Sequence, residues 1–112
     1  MITSVEAVRQ HLAALASYDF PALNGSVSTN VELRLIGETS WKWELAGLYR
    51  FITQAWDFAV GDVQLADEGG GSVRVQIRFV NGDWVKDVEG QYQVEMGRIS
   101  LITLTNATPT RA

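Results

Sequence analysis

Apolar and polar positions alternate with two different periods along this chain, and the change of period divides it into helices first and strands last. From Thr3 to Phe20 the apolar residues Val5, Val8, Leu12 and Leu15 recur at helical spacing and form one stripe. Thr3 and Glu6 stand at capping-box distance, so the helix has a defined start. His11, Ala14 and Tyr18 lie together on one flank of the stripe. Pro21 stands past the helix end and is suited to open a short second helical turn through Leu23.

Val31 to Ile36 alternates and predicts a half-buried strand that Gly37 ends. Trp41 to Trp56 predicts a helix, with Ser40 as cap and Leu45, Leu48, Tyr49, Ile52 and Trp56 on one face. Its interior Gly47 costs about 1 kcal/mol against Ala. The remainder predicts an antiparallel meander. Val60 to Ala66 is a strand, and Asp67 to Ser72 is a flexible connection. Val73 to Val80 alternates strictly, Asn81-Gly82 is a hairpin turn, and Asp83 to Met96 is the returning strand. A tight turn at Met96-Gly97 then leads into Arg98 to Asn106. The Gly-rich Asp67 to Ser72 segment has no helix after it, so it lacks the amide-rich terminus that cradles phosphate.

A two-residue Asn81-Gly82 loop would set Phe79 opposite Trp84, Ile77 opposite Lys86, Val75 opposite Val88 and Val73 opposite Gly90 on one sheet face. Arg74 would meet Glu89 on the other. A two-residue Met96-Gly97 loop would set Tyr92 opposite Leu101 and Gly90 opposite Thr103. The inner face is then apolar except at Lys86, Gly90, Tyr92, Thr103 and Thr105, and those interruptions are where a ligand has room. Arg74, Gln76, Arg78, Glu89, Gln91, Gln93 and Glu95, mixed with Val85, Ile102 and Leu104, fall on the outer face. That face suits either solvent or a polar dimer interface.

Composition removes several classes of function. The length of 112 residues, with 46% apolar, suits one domain with its own core. There is no cysteine, which excludes disulfides, thiolate nucleophiles and Cys-based zinc sites. A single histidine excludes a His cluster. The net charge is −4, and nine scattered Lys and Arg build no local positive field for nucleic acid. No apolar run approaches the roughly 18 residues of a membrane span. The first residues have neither a basic n-region nor a long apolar h-region, so no leader and a cytoplasmic location are expected. The expected partner is a small apolar or aromatic molecule, with no cofactor, metal, nucleic acid or membrane.

The segments HLAALASYDFPAL, VELRLIG, ELAGLYRFI and GRISLITLT, in this order and over nearly the whole length, resemble the SnoaL-like proteins of the nuclear transport factor 2 and ketosteroid isomerase superfamily. The resemblance lies in order, length and texture. It implies one SnoaL-like domain over residues 1–112. The implied fold is a cone-shaped α+β fold, in which N-terminal helices pack on a curved, mostly antiparallel sheet and a pocket opens at the wide end. It also implies a homodimer through the sheet face. Activities of the family include steroid isomerisation, polyketide ring closure, epoxide hydrolysis and dehydration.

The family's catalytic sets do not transfer to these positions. His11 in Gln10-His11-Leu12-Ala13-Ala14-Leu15 stands where ketosteroid isomerases place an oxyanion-donating tyrosine. Their general-base aspartate falls around Leu33 to Leu35, where only Arg34 is polar, and their protonated aspartate falls near Gly90 and Gln91. The Asp-Arg-Asp relay of the epoxide hydrolases finds no match among Lys86, Glu89 and Arg34, and the dehydratase pattern needs a second histidine.

The candidate catalytic residues are therefore His11 for proton transfer, with Lys86 and Tyr92 stabilising an oxyanion. The bland alternatives are a flank histidine bonded to the backbone and a Lys86 that snorkels to the rim or is flipped by a bulge. Tyr18, Trp41, Trp43, Trp56, Trp84 and Thr103 are the candidate ligand contacts. Trp41 and Trp43 suit the pocket rim, whereas Trp56 and Trp84 serve equally as core. Two functions remain open. One is an isomerase, cyclase or hydratase acting on an apolar ring-containing substrate; the other is a non-catalytic ligand-binding or dimerising module.

Overall fold

The computed structural model describes residues 2–17, 19–36, 41–43, 59–105 and 109–111. Helix α1 spans Ser4–Ser17 and α2 spans Phe20–Gly25. Seven strands follow among the described residues: β1 Val27–Ile36, β2 Trp41–Trp43, β3 Ala59–Gly69, β4 Ser72–Asn81, β5 Trp84–Glu95, β6 Arg98–Thr105 and β7 Thr110–Arg111. They form one sheet in the order β2-β1-β6-β5-β4-β3, with β7 paired to β5. Every pairing is antiparallel except β1 with β6. The architecture is α+β, as the sequence predicts, and the described residues place two helices on a curved, unclosed sheet.

The start of α1 follows the capping logic: the Glu6 amide donates to Thr3 Oγ1 at 3.1 Å. Its predicted stripe is the buried one, since Val8, Leu12 and Leu15 enter the core and Val5 packs against it. Asp19 caps α2 by accepting from the Ala22 amide at 3.2 Å. Pro21 in the first turn of α2 costs no hydrogen bond, because amides there have no intrahelical acceptor. The opposite layer of the core is the inner face of the sheet: Val73, Val75, Ile77 and Phe79 of β4, Val88, Tyr92 and Val94 of β5, and Ile99, Ile102 and Leu104 of β6.

Several local expectations are corrected. Trp41–Trp43 begins no helix but forms β2 beside β1, with Leu33 opposite Trp43 and Leu35 opposite Trp41. The rest of the predicted second helix, including Trp56, lies outside the described residues. β1 starts at Val27, ahead of the predicted Val31, and a bulge separates Val27 from Glu32. Asp67 to Ser72 is an ordered hairpin, not a flexible connection. Gly69 pairs with Ser72, and Gly69, Gly70 and Gly71 all have positive φ. Their turn is docked on β5: the Val94 amide donates to Gly71 O at 2.8 Å and Gln93 Nε2 to Gly70 O at 2.9 Å.

The β4–β5 turn is Gly82-Asp83, so Asn81 pairs with Trp84. Gly82 has φ 57°, and a glycine first in the turn is what a type II′ hairpin requires. The register therefore slides by two residues. Phe79 meets Lys86, Ile77 meets Val88, Val75 meets Gly90 and Val73 meets Tyr92. A slide of two keeps every side chain on its predicted face. It does exchange ion-pair partners. Arg74 stands opposite Gln91 and its guanidinium lies 4.0 Å from Glu68, while Arg78 holds Asp87 at 2.8 and 3.0 Å. That pairing draws the Asp87 carboxyl below its ordinary range through its hydrogen bond.

The Met96-Gly97 turn forms as predicted, with Glu95 opposite Arg98. Beyond it, Ser100 is an extra residue: Val94 pairs with Ile99 but Gln93 pairs with Leu101. A one-residue slip inverts the faces. Ile102 and Leu104, predicted outside, are buried, while Thr103 and Thr105 move to the outer side. The burial of two large aliphatic side chains outweighs that of two threonines, which explains why the bulge is kept.

Candidate functional site

The polar groups of the concave side come from α1 and β5. His11 is carried inward by the apolar stripe of α1 and is 2% exposed. Its Nδ1 lies 2.9 Å from Ser26 Oγ, and that hydroxyl donates to Leu23 O at 2.7 Å. The serine proton is committed, so Nδ1 carries the hydrogen and donates to Oγ. The ring is held in one tautomer with its lone pair on Nε2. Burial lowers the His11 pKa to about 4, so the imidazole is neutral near pH 7. Ser26 is a partner the sequence reading missed; its place just after the short helix α2 was the available signal.

Tyr92 stands on the inner face of β5 with its ring 5.8 Å from His11, edge to face at 63°. Burial pushes the phenol pKa upward, so Tyr92 stays a protonated donor. Gly90 does not leave room for a ligand. A Cβ there would lie 2.7 Å from Leu104 Cδ2 and 3.0 Å from Tyr92 Cε1, so core side chains already fill the space.

Lys86 lies on the same face as Val88 and Tyr92 and is half-buried. Burial lowers its pKa, and among the described residues no carboxylate opposes that shift. No bulge flips it, since β4 and β5 pair without a register break. Tyr92 lies six positions further along the strand, about 20 Å along the backbone. His11 and Tyr92 are thus brought together, and Lys86 stands apart from them along β5. The three do not converge on one oxyanion.

Trp84 is not core: it is 47% exposed, with the Arg111 guanidinium 6.0 Å from its ring. Thr103 points away from the concave side because of the Ser100 bulge. Tyr18 and Trp56 lie outside the described residues, as do the side chains of Trp41 and Trp43. Arg34 pairs with Glu32 at 3.2 Å on an exposed surface, and Glu89 is also exposed, so neither joins Lys86. Among the described residues, no three His, Asp or Glu side chains cluster to hold a metal. No described helix is long and apolar enough to cross a membrane. The outer face carries an open groove of about 620 Å³ walled by Asp62, Gln64, Gln76, Arg78, Asp87 and Glu89.

No family model matches the sequence, and no curated protein sequence does. Solved structures do match. A protein from Kribbella flavida assigned as a ketosteroid isomerase superposes with TM-score 0.83 at 18% identity, over 97% of this chain and 80% of that one. An NTF2-like protein of unknown function from Cytophaga hutchinsonii gives 0.75 at 19% identity, over 96% and 92%. The chain has the nuclear transport factor 2-like fold. An LEH-like epoxide hydrolase from M. tuberculosis gives 0.68 at 17% identity, over 91% and 80%. Identities this low establish the NTF2-like fold and leave the chemistry to the residues in place.

Proposed function

We propose that this NTF2-like protein binds a small apolar, ring-containing molecule on the concave side of its sheet, beside Lys86. One observation carries this reading. Among the described residues, Lys86 is a half-buried cation on a mostly apolar face, with no carboxylate acting on it. Such a group is costly unless a partner arrives. His11 and Tyr92 supply a neutral ring and a protonated phenol, both buried.

Titration of the protein with N-phenyl-1-naphthylamine, a neutral two-ring dye, is expected to give saturable one-to-one fluorescence enhancement. Absence of saturation removes the reading. Catalysis of the SnoaL-like kind, as isomerase, cyclase or hydratase, is the second reading, and the His11–Tyr92 contact is the observation in its favour. Deuterium exchange of 2-tetralone α-protons, followed by NMR, separates the two. Binding alone predicts no acceleration by the protein. Acceleration abolished by His11→Gln would replace binding by catalysis with His11 as the proton carrier.

The polar outer face, with its groove, is proposed to receive a second copy of the chain. Light scattering at high micromolar concentration is expected to give a dimer mass, and a monomer mass would refute this.

A further inference from the structure

At the start of β5 the sheet brings Arg111, distant in sequence, beside Trp84 and Lys86. Trp84 and Lys86 are two residues apart on one strand and so share a face. In the β5–β7 pairing Arg111 stands directly opposite Trp84, and its guanidinium lies over the indole at 6.0 Å. Lys86 is then the diagonal neighbour of Arg111, a spacing of about 7–8 Å that two long side chains span easily. The carboxylates nearest in sequence do not compete. Asp87 points to the other face and is held by Arg78, and Asp83 is an exposed turn residue. A protein of net charge −4 therefore places two cations and a half-exposed indole at one lip of its concave side.

We propose that this lip is an anion clamp: Lys86 and Arg111 together hold the acidic group of a planar ring compound, and the indole of Trp84 packs against the ring. The inference rests on the ligand-binding reading above and narrows its ligand to ring acids. Two cations converging on one acidic group select for charge more strongly than either does alone. The exposed indole area supplies apolar contact that any flat ring can use.

Two dyes test this. 8-Anilinonaphthalene-1-sulfonate is N-phenyl-1-naphthylamine with one added sulfonate, so comparing them isolates the acidic group. The protein is expected to bind the sulfonate at least tenfold more tightly than the neutral dye. Arg111→Ala is expected to weaken sulfonate binding about tenfold and to leave neutral-dye binding within about twofold. Lys86→Met added to it should make the two dyes equal. Arg111 is exposed in a two-residue strand, so its replacement leaves the core intact. Equal affinity of the two dyes for the unaltered protein overturns the clamp and leaves ligand binding standing. Loss with Lys86→Met but not with Arg111→Ala also overturns it, and reduces the Arg111–Trp84 contact to a tie between strands. Failure of both dyes to bind instead refutes the underlying reading.

Discussion

Gly71→Ala is expected to destabilise the protein by about 3 kcal/mol, whereas Gly70→Ala, one residue earlier, costs about 1 kcal/mol. Both glycines have left-handed backbone, φ +81° and +61°, so each substitution carries the penalty of that conformation. The difference lies in what the new methyl meets. At Gly70 nothing lies within 4 Å, while at Gly71 the methyl would stand 2.3 Å from the carbonyl oxygen of Val94. A backbone oxygen inside a paired strand cannot swing aside, and retreat would break the Val94 amide bond to Gly71 O. Urea unfolding of the two variants, compared by midpoint at constant slope, measures the gap. Equal losses would mean that the β3–β4 turn is not docked on β5.

The second large effect is a loss of stability in acid that originates at one residue. His11 has a folded pKa of about 4 against an ordinary value of 6.5. Above pH 6.5 the ring is neutral in both states and makes no pH-dependent contribution. Between 6.5 and 4 the unfolded chain binds a proton that the folded protein refuses, so stability falls as pH falls. By about pH 4 the loss from this group reaches about 3 kcal/mol, and near pH 5.5 it is about half that. Below about 4 both states are protonated and the contribution is constant. Carboxylates titrate in the same range, so the useful quantity is the difference between the natural protein and His11→Leu. That substitution leaves the Ser26 hydroxyl its bond to Leu23 O. The stability of the variant relative to the natural protein should rise by about 3 kcal/mol from pH 7 to pH 4. A flat difference would mean that the histidine protonates inside the fold at little cost.

The elements were legible where one local rule decided them. Thr3 and Glu6 placed the start of α1, the stripe from Val5 to Leu15 oriented it, and strict alternation from Val73 to Phe79 assigned the inner face of β4 correctly. Register was less legible, because it depends on turn details. Asn81-Gly82 looked like the turn, but Asn81 stayed in the strand and the glycine took the first turn position. That slide was harmless to the faces and decisive for the ion pairs. Ser100 was the costlier omission. Nothing in RISLITLT marks a bulge, yet one extra residue turned Thr103 out and Ile102 and Leu104 in. Trp41–Trp43 read as helix from its continuity with the apolar positions beyond it, whereas pairing with β1 made it a strand. The site was half legible: His11 and Tyr92 do meet and Lys86 does face inward. The distance along β5 and the Ser26 bond that fixes the imidazole needed three dimensions, as did Arg111, which only the β5–β7 pairing brings to Trp84.

The parallel pairing of β1 with β6 has a bearing on how the molecule is made. The partners Val27 and Ile99 stand roughly seventy residues apart along the chain, a loop whose closure carries a substantial entropic cost. During synthesis β1 leaves the ribosome long before β6 exists, and the α1–α2 unit with β1 has an unpaired strand edge to protect. The hairpins β3–β4 and β4–β5 are local and can assemble first, leaving the β1–β6 seam to close last. Until β6 is made, the flank of Val27–Ile36 that meets it in the sheet has no strand to pair with.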